Sequence, residues 1–114
     1  MSRQRGNEAE AMAARYLQEQ GLDILAQQVR FRVGELDLIC QDGDACVFVE
    51  VKARKSDAFG GPLTAVTPTK QQRLRRAAAC YLQATQQSHR PCRFDVVGIH
   101  LGTGAMTWIQ DAFS

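Results

Sequence analysis

Residues 34–52 read GELDLICQDGDACVFVEVK, two apolar runs on either side of an Asp42-Gly43 turn signal. Each run alternates. Glu35, Asp37 and Ile39 share one face of the first, with Leu36, Leu38 and Cys40 on the other. In the second, Val47, Val49, Val51 and Ala53 oppose Phe48, Glu50, Lys52 and Arg54. Acids and a lysine inside strands cost stability unless something pairs them. The pattern predicts an antiparallel hairpin of strands 35–40 and 46–54, with its valines and leucines on the core. If the register sets them opposite one another, Asp37, Glu50 and Lys52 converge on one small volume, because same-face neighbours lie about 5 Å apart.

Upstream of this hairpin, residues 22–32 predict a strand made irregular by Ala26-Gln27-Gln28. Before it, residues 7–20 predict a helix capped by Asn7 and stopped at Gly21. Ala9, Met12, Ala13, Tyr16 and Leu17 form its apolar stripe. Glu8 and Glu10 lie at opposite margins of that stripe, so periodicity does not choose between them as candidates for a site. Downstream, residues 55–66 read as a loop around Gly60-Gly61-Pro62, with no phosphate-cradling glycine motif. A second helix starts between Thr67 and Thr69, where Thr69-Lys70-Gln71-Gln72 fits a capping box. Its stripe is Leu74, Ala77, Ala78, Tyr81 and Leu82. Lys70 lies in line with the stripe, and Arg73 and Arg76 flank it. Residues 93–101 predict a strand, 102–104 a turn and 105–109 a last short strand, with Phe113 as an anchor.

A chain of 114 residues with 45% hydrophobic and 23% charged residues reads as one globular domain, 1–114. It has no apolar run of membrane-spanning length and no secretory h-region behind its N-terminal arginines, which points to the cytoplasm. Cys40, Cys46, Cys80 and Cys92 show no CxxC and no neighbouring histidine, which argues against zinc. They read as buried small hydrophobes, with Cys40 and Cys46 placed to face each other across the turn. The net charge of +2 does not by itself imply nucleic acid. Its distribution says more, because eleven of the fourteen basic residues fall in four clusters: Arg3/Arg5, Arg30/Arg32, Lys52/Arg54/Lys55 and Lys70/Arg73/Arg75/Arg76.

Neither histidine, His89 nor His100, has a serine or cysteine partner, and both read as structural or exposed. The remaining chemistry is carboxylate and amine, a donor set that prefers Mg²⁺ or Mn²⁺ over zinc. Asp37 and Glu50 can hold such an ion with the Val51 carbonyl as a third ligand. Lys52 can then stabilise charge and position water, a general-base role being the other option. A buried Asp–Lys–Glu ion-pair cluster is the structural alternative.

The spacing Asp37…Glu50-Val51-Lys52 resembles the PD-(D/E)xK nuclease motif, with Leu36 in place of the proline. The wider pattern is more specific. Gly6-x-x-x-Glu10-x-x-Ala13, GELDLI (34–39), VFVEVKAR (47–54), FGG (59–61), Lys70, RFDVV (93–97) and DAF (111–113) resemble the YraN family over nearly the whole chain. That family is similar to archaeal Holliday-junction resolvases and restriction endonucleases. The resemblance implies a restriction-endonuclease-like α-β-β-β-α-β core, a mixed central sheet flanked by helices. It selects Glu10 over Glu8, gives Asp37, Glu50 and Glu10 metal-binding roles and Lys52 the catalytic-lysine role, and gives Glu35 a supporting part. The expected function is a Mg²⁺-dependent endonuclease acting on DNA, branched DNA included. Arg54, Lys55, Lys70, Arg73 and Arg76 would hold the nucleic acid, and by analogy the protein would be a homodimer. The alternatives are a non-catalytic nucleic-acid-binding or adaptor module and a protein-interaction domain with a structural ion-pair cluster.

Overall fold

The computed structural model describes residues 2–55 and 61–114, with side chains from residue 8 onward except Pro62 and Leu63. The element order is α1 (Ser2–Glu19), β1 (Asp23–Phe31), β2 (Gly34–Asp42), β3 (Ala45–Arg54), a 3-10 turn (Pro62–Ala65), α2 (Pro68–Ala84), β4 (Cys92–His100) and β5 (Met106–Phe113). The strands form one mixed sheet in the order β1-β2-β3-β4-β5. Only β3 and β4 run parallel; the other neighbours are antiparallel. A parallel pair needs a long crossover, and α2 supplies it. The α-β-β-β-α-β core is present, with β5 added at the edge.

Helices cover both faces. Under α1, Ala9, Ala13, Ala14 and Leu17 pack on Leu38, Cys40, Val47, Val49, Val97 and Ile99. On the other face, Leu74, Ala77, Ala78 and Leu82 of α2 pack on Leu36, Ile39, Cys46, Phe48, Phe94 and Val96. Burial on both sides explains why β3 and β4 read as nearly unbroken apolar runs. It also corrects the expectation that the charged face lies opposite a one-sided core, since Phe48 and Glu50 both face the α2 layer.

Several sequence expectations change at the element ends. Asn7 is not the N-cap, because α1 begins at Ser2 and runs through Gly6. A single helical glycine costs only about 1 kcal/mol, too little to stop the helix. Gly21 does end α1, in the left-handed region at φ 98°. The capping box at Thr69 gives way to Thr67, whose Oγ1 accepts the Lys70 N–H at 3.2 Å. Pro68 suits the first helical position and leaves Thr67 as the cap. The 3-10 turn lies in a stretch read as loop, and residues 56–60 of that loop are outside the described residues. Cys40 and Cys46 occupy adjacent rungs of the ladder, opposite Val47 and Gln41, and therefore point to opposite faces. All four cysteines are free; Cys80 is only half-buried and Cys92 is exposed.

The last strand is longer than expected. A bulge at Asp111, φ 51°, absorbs extra residues and lets Phe113 pair with Phe94. Their rings stack 4.9 Å apart, so Phe113 is the expected anchor. Among the described residues, no helix is long and apolar enough to cross a membrane.

Candidate metal centre

The hairpin register places Leu38 opposite Val49 and then stops. One more rung would set Asp37 against Glu50. Instead β2 turns away, and the Asp37 carboxylate takes the place of the missing strand by accepting the Val51 N–H at 2.9 Å. On β1, Gln28 adopts φ 52° across from this point, between the Gln27–Leu38 and Val29–Leu36 rungs. The break shifts the alternation of β2, so that Leu36 packs under α2 while Leu38 packs under α1. A strand residue turns its N–H and C=O to the same edge. The Val51 carbonyl therefore faces the gap that β2 leaves.

A cleft of about 1410 Å³ opens at this gap, lined by α1, β2, β3 and the start of α2. Glu10, Glu35, Asp37, Glu50, Val51, Lys52, Lys55, Lys70 and Arg73 all border it. Arg54 and Arg76 do not: Arg54 lies under the 3-10 turn, with Nη2 3.4 Å from Thr64 Oγ1, and Arg76 is exposed on α2. Lys70, expected to contact nucleic acid, sits among the carboxylates. Its Nζ lies 3.3 Å from Glu50 Oε1, and Lys52 Nζ lies 3.5 Å from the same oxygen.

The acids divide into two overlapping groups. Asp37 and Glu50 are hydrogen-bonded to each other, and Glu10 reaches both Asp37 and Gln28. Separately, Glu10, Glu35 and Asp37 each offer an oxygen within 4.8 Å of the others. Glu35 is also paired with Arg30 at 3.1 Å on the exposed side. Two carboxylates in contact cannot both ionise cheaply, so they hold a proton or a cation between them. Burial, followed by the charge of Asp37, pushes Glu50 up to about 7, against the pull of Lys70 and Lys52. Burial likewise raises Asp37 and Glu10. Lys52 is lowered by burial and by its contact with Lys70. Burial would depress Lys70 too, but its hydrogen bond to Lys52 and the nearby Glu50 outweigh it, and its pKa is raised.

These residues fit a hard divalent cation. All the acidic donors are oxygens, and Glu10 Oε2 is buried with no hydrogen-bond partner. A cation would satisfy that atom and favour the charged forms of Asp37 and Glu50.

The raised Glu50 pKa sets a pH dependence for the metal-free protein. An acid whose folded pKa lies above its unfolded value stabilises the fold below the unfolded pKa and loses that contribution as pH rises. The window is about pH 4.5 to 7. At ~1.36 kcal/mol per unit, the loss is about 3 kcal/mol. In urea unfolding with chelator present, Glu50→Gln should therefore gain about 3 kcal/mol on the parent protein across that window. Equal pH slopes for the two proteins would contradict a buried Glu50 with a raised pKa.

Gly34 is also part of this architecture. A Cβ there would lie 3.1 Å from the Arg73 carbonyl oxygen, a backbone atom. Gly34→Ala should push β2 off α2 and cost about 1–3 kcal/mol in urea unfolding.

Glu35, given a supporting part by the family pattern, joins the metal-capable group although it is exposed. Two features escaped sequence reading. Gln28 touches Glu10 from a left-handed position that only its irregular neighbourhood foreshadowed. Asp95, fully buried, organises β5. Its carboxylate accepts from Arg93 Nε at 3.0 Å, Trp108 Nε1 at 3.0 Å and the Asp111 N–H at 2.9 Å. Arg93 also pairs with Asp42 at 2.9 Å.

A mixed five-strand sheet between two helices, opened at one strand pair to expose carboxylates and lysines, defines an α/β domain with an α-β-β-β-α-β core. Comparison with known proteins then gives the family. The model of the uncharacterised protein family UPF0102 matches residues 9–99, and the chain belongs to that family, which is the YraN family. Among its relatives is a UPF0102 protein of Symbiobacterium thermophilum, 50% identical, with 99% of this chain and 98% of that protein covered. Another, from Nitrosococcus oceani, is 45% identical, with 97% and 92% covered. A third, from Nitrosomonas eutropha, is 46% identical over 98% and 95%.

Proposed function

We propose that this protein is a Mg²⁺- or Mn²⁺-dependent endonuclease that cleaves DNA, branched DNA included, by phosphodiester hydrolysis in the cytoplasm. The observation that carries the reading is the splayed β2–β3 pair. It brings Asp37, Glu50, Glu10 and Lys52 to one cleft, with two adjacent buried acids whose pKa values are raised and an orphaned buried oxygen where a cation fits. Asp37, Glu50 and Glu10 would hold the cation, with the Val51 carbonyl as a further donor and Glu35 in support. When bound, such a cation supplies charge neutralisation at the phosphodiester and acidifies water.

The lysines divide the remaining work. The lowered pKa of Lys52 suits it to take a proton from the attacking water. Lys70, held in its charged form, suits a phosphate oxygen. Lys55 and Arg73 extend positive charge along the cleft, and Arg54 and Arg76 lie outside it. Cutting two strands takes two such sites, so a homodimer follows from this reading.

The direct test is cleavage of linear, nicked, flapped and four-way-junction DNA with Mg²⁺ or Mn²⁺. Intact substrates in every case would sink the enzyme reading. One observation favours the second reading, a non-catalytic nucleic-acid-binding or adaptor module. Glu50 is already neutralised by Lys52 and Lys70, as in a structural ion-pair cluster. That reading predicts salt-sensitive DNA binding without cleavage, weakened more by removing Arg73 and Arg76 than by Asp37→Ala.

A further inference from the structure

Lys52 stands in the wall between the large cleft and a second pocket. This second pocket, about 290 Å³, lies over β3, β4 and the β4–β5 turn, with Arg54, His100, Thr103 and Thr107 around it and Gly98 leaving room. Its polar side chains share one property: each can donate a hydrogen bond. Arg54 Nε is buried with no hydrogen-bond partner. His100 Nδ1 accepts the Thr103 N–H at 3.2 Å, which leaves the ring proton on Nε2 as a donor. Thr103 Oγ1 accepts the Ala105 N–H at 3.2 Å and keeps its own hydroxyl proton to give. No carboxylate lines the pocket among the described residues. A cationic guanidinium with an unpaired Nε, hydroxyl and imidazole N–H donors beside it and no carboxylate among them favour an anion.

We propose that this pocket is a phosphate subsite. On the nuclease reading, on which the choice of ligand rests, it holds the backbone phosphate next to the one over the carboxylates. The spacing supports that assignment. Lys52 and Arg54 lie one strand period apart, about 6.7 Å, comparable to the separation of successive phosphates in an extended strand. The nucleic acid would then leave the cleft across the end of β4, and the direction of the bound strand would be set by which neighbour of the reacting phosphate fills the pocket.

Two probes separate this subsite from the nuclease reading. The first is inorganic phosphate titrated into metal-free protein, followed by the NMR signals of the Arg54 Nε–H and the His100 ring. Saturable shifts of both are expected, with affinity reduced about tenfold or more in Arg54→Gln and reduced also in Thr107→Val, which keeps the side-chain shape. The second probe is labelled single-stranded DNA in chelator, where Arg54→Gln should reduce the salt slope by about 0.7. Phosphate that leaves Arg54 and His100 unmoved overturns the subsite, even if the protein binds and cuts DNA. Phosphate shifts without any DNA binding uphold the anion pocket and overturn its nucleic-acid assignment.

Discussion

Asp37→Ala should abolish metal-dependent cleavage, lowering the rate by about three orders of magnitude or more. Loss of about 4 kcal/mol of charge stabilisation in the transition state corresponds to a thousandfold. Asp37 is the most exposed to this effect because it does two things at once. It belongs to both groups of acids, with Glu50 and with Glu10 and Glu35. It also caps the Val51 N–H where β2 leaves β3. Glu50→Ala and Lys52→Ala should be similarly inactive, whereas Glu35→Ala should lose about ten- to a hundredfold, as supporting residues of metal sites do. Folding must be checked alongside activity. Asp37→Asn keeps most of the side chain's shape and its carbonyl acceptor, so it should fold and still fail to cleave. A folded Asp37→Asn with parental activity would remove Asp37 from the mechanism.

The largest effect on stability should come from Asp95→Ala, about 3–5 kcal/mol in urea unfolding. Asp95 is wholly buried, and its loss strands the Trp108 Nε1–H, the Asp111 N–H and one side of the Arg93 guanidinium. Because the Asp111 bulge sets the path of β5, the stacking of Phe113 on Phe94 should loosen as well. Asp95 lies on the α1 face with Val97 and Ile99, away from the Lys52–Glu50–Lys70 side of the sheet. The change should therefore lower stability without removing a metal ligand. A loss under about 1 kcal/mol would mean that water satisfies this network.

Most of β3 was legible because its alternation is uninterrupted, and Val47, Val49, Phe48 and Glu50 fall on the faces that period 2 assigns. β2 was legible only from Leu38 onward. Alternation assumes a continuous ladder, and the ladder ends at Leu38, so Leu36 changed sides without any mark in its own residue type. The same limit hid the role of Lys70. Helical spacing placed it in line with the core stripe, but not that the stripe ends against Glu50. Asp95 went unassigned because its acceptor groups are met by β5 residues more than ten positions away, a pairing that depends on a bulge. Glu10 shows the opposite limit: periodicity left it level with Glu8, the family pattern selected it, and its buried, unpartnered oxygen gives that choice a physical basis.

The hairpin of residues 34–52 is thus a sheet opened at one rung, with a carboxylate set into the opening. Anomalous scattering from Mn²⁺-soaked crystals tests that account most directly. The predicted result is an ion held by Asp37 and Glu50 beside Glu10, with Lys52 adjacent. A cleft without an ion at saturating Mn²⁺, with Glu50 still bridged by Lys52 and Lys70, would contradict it and leave the cluster as a structural ion pair.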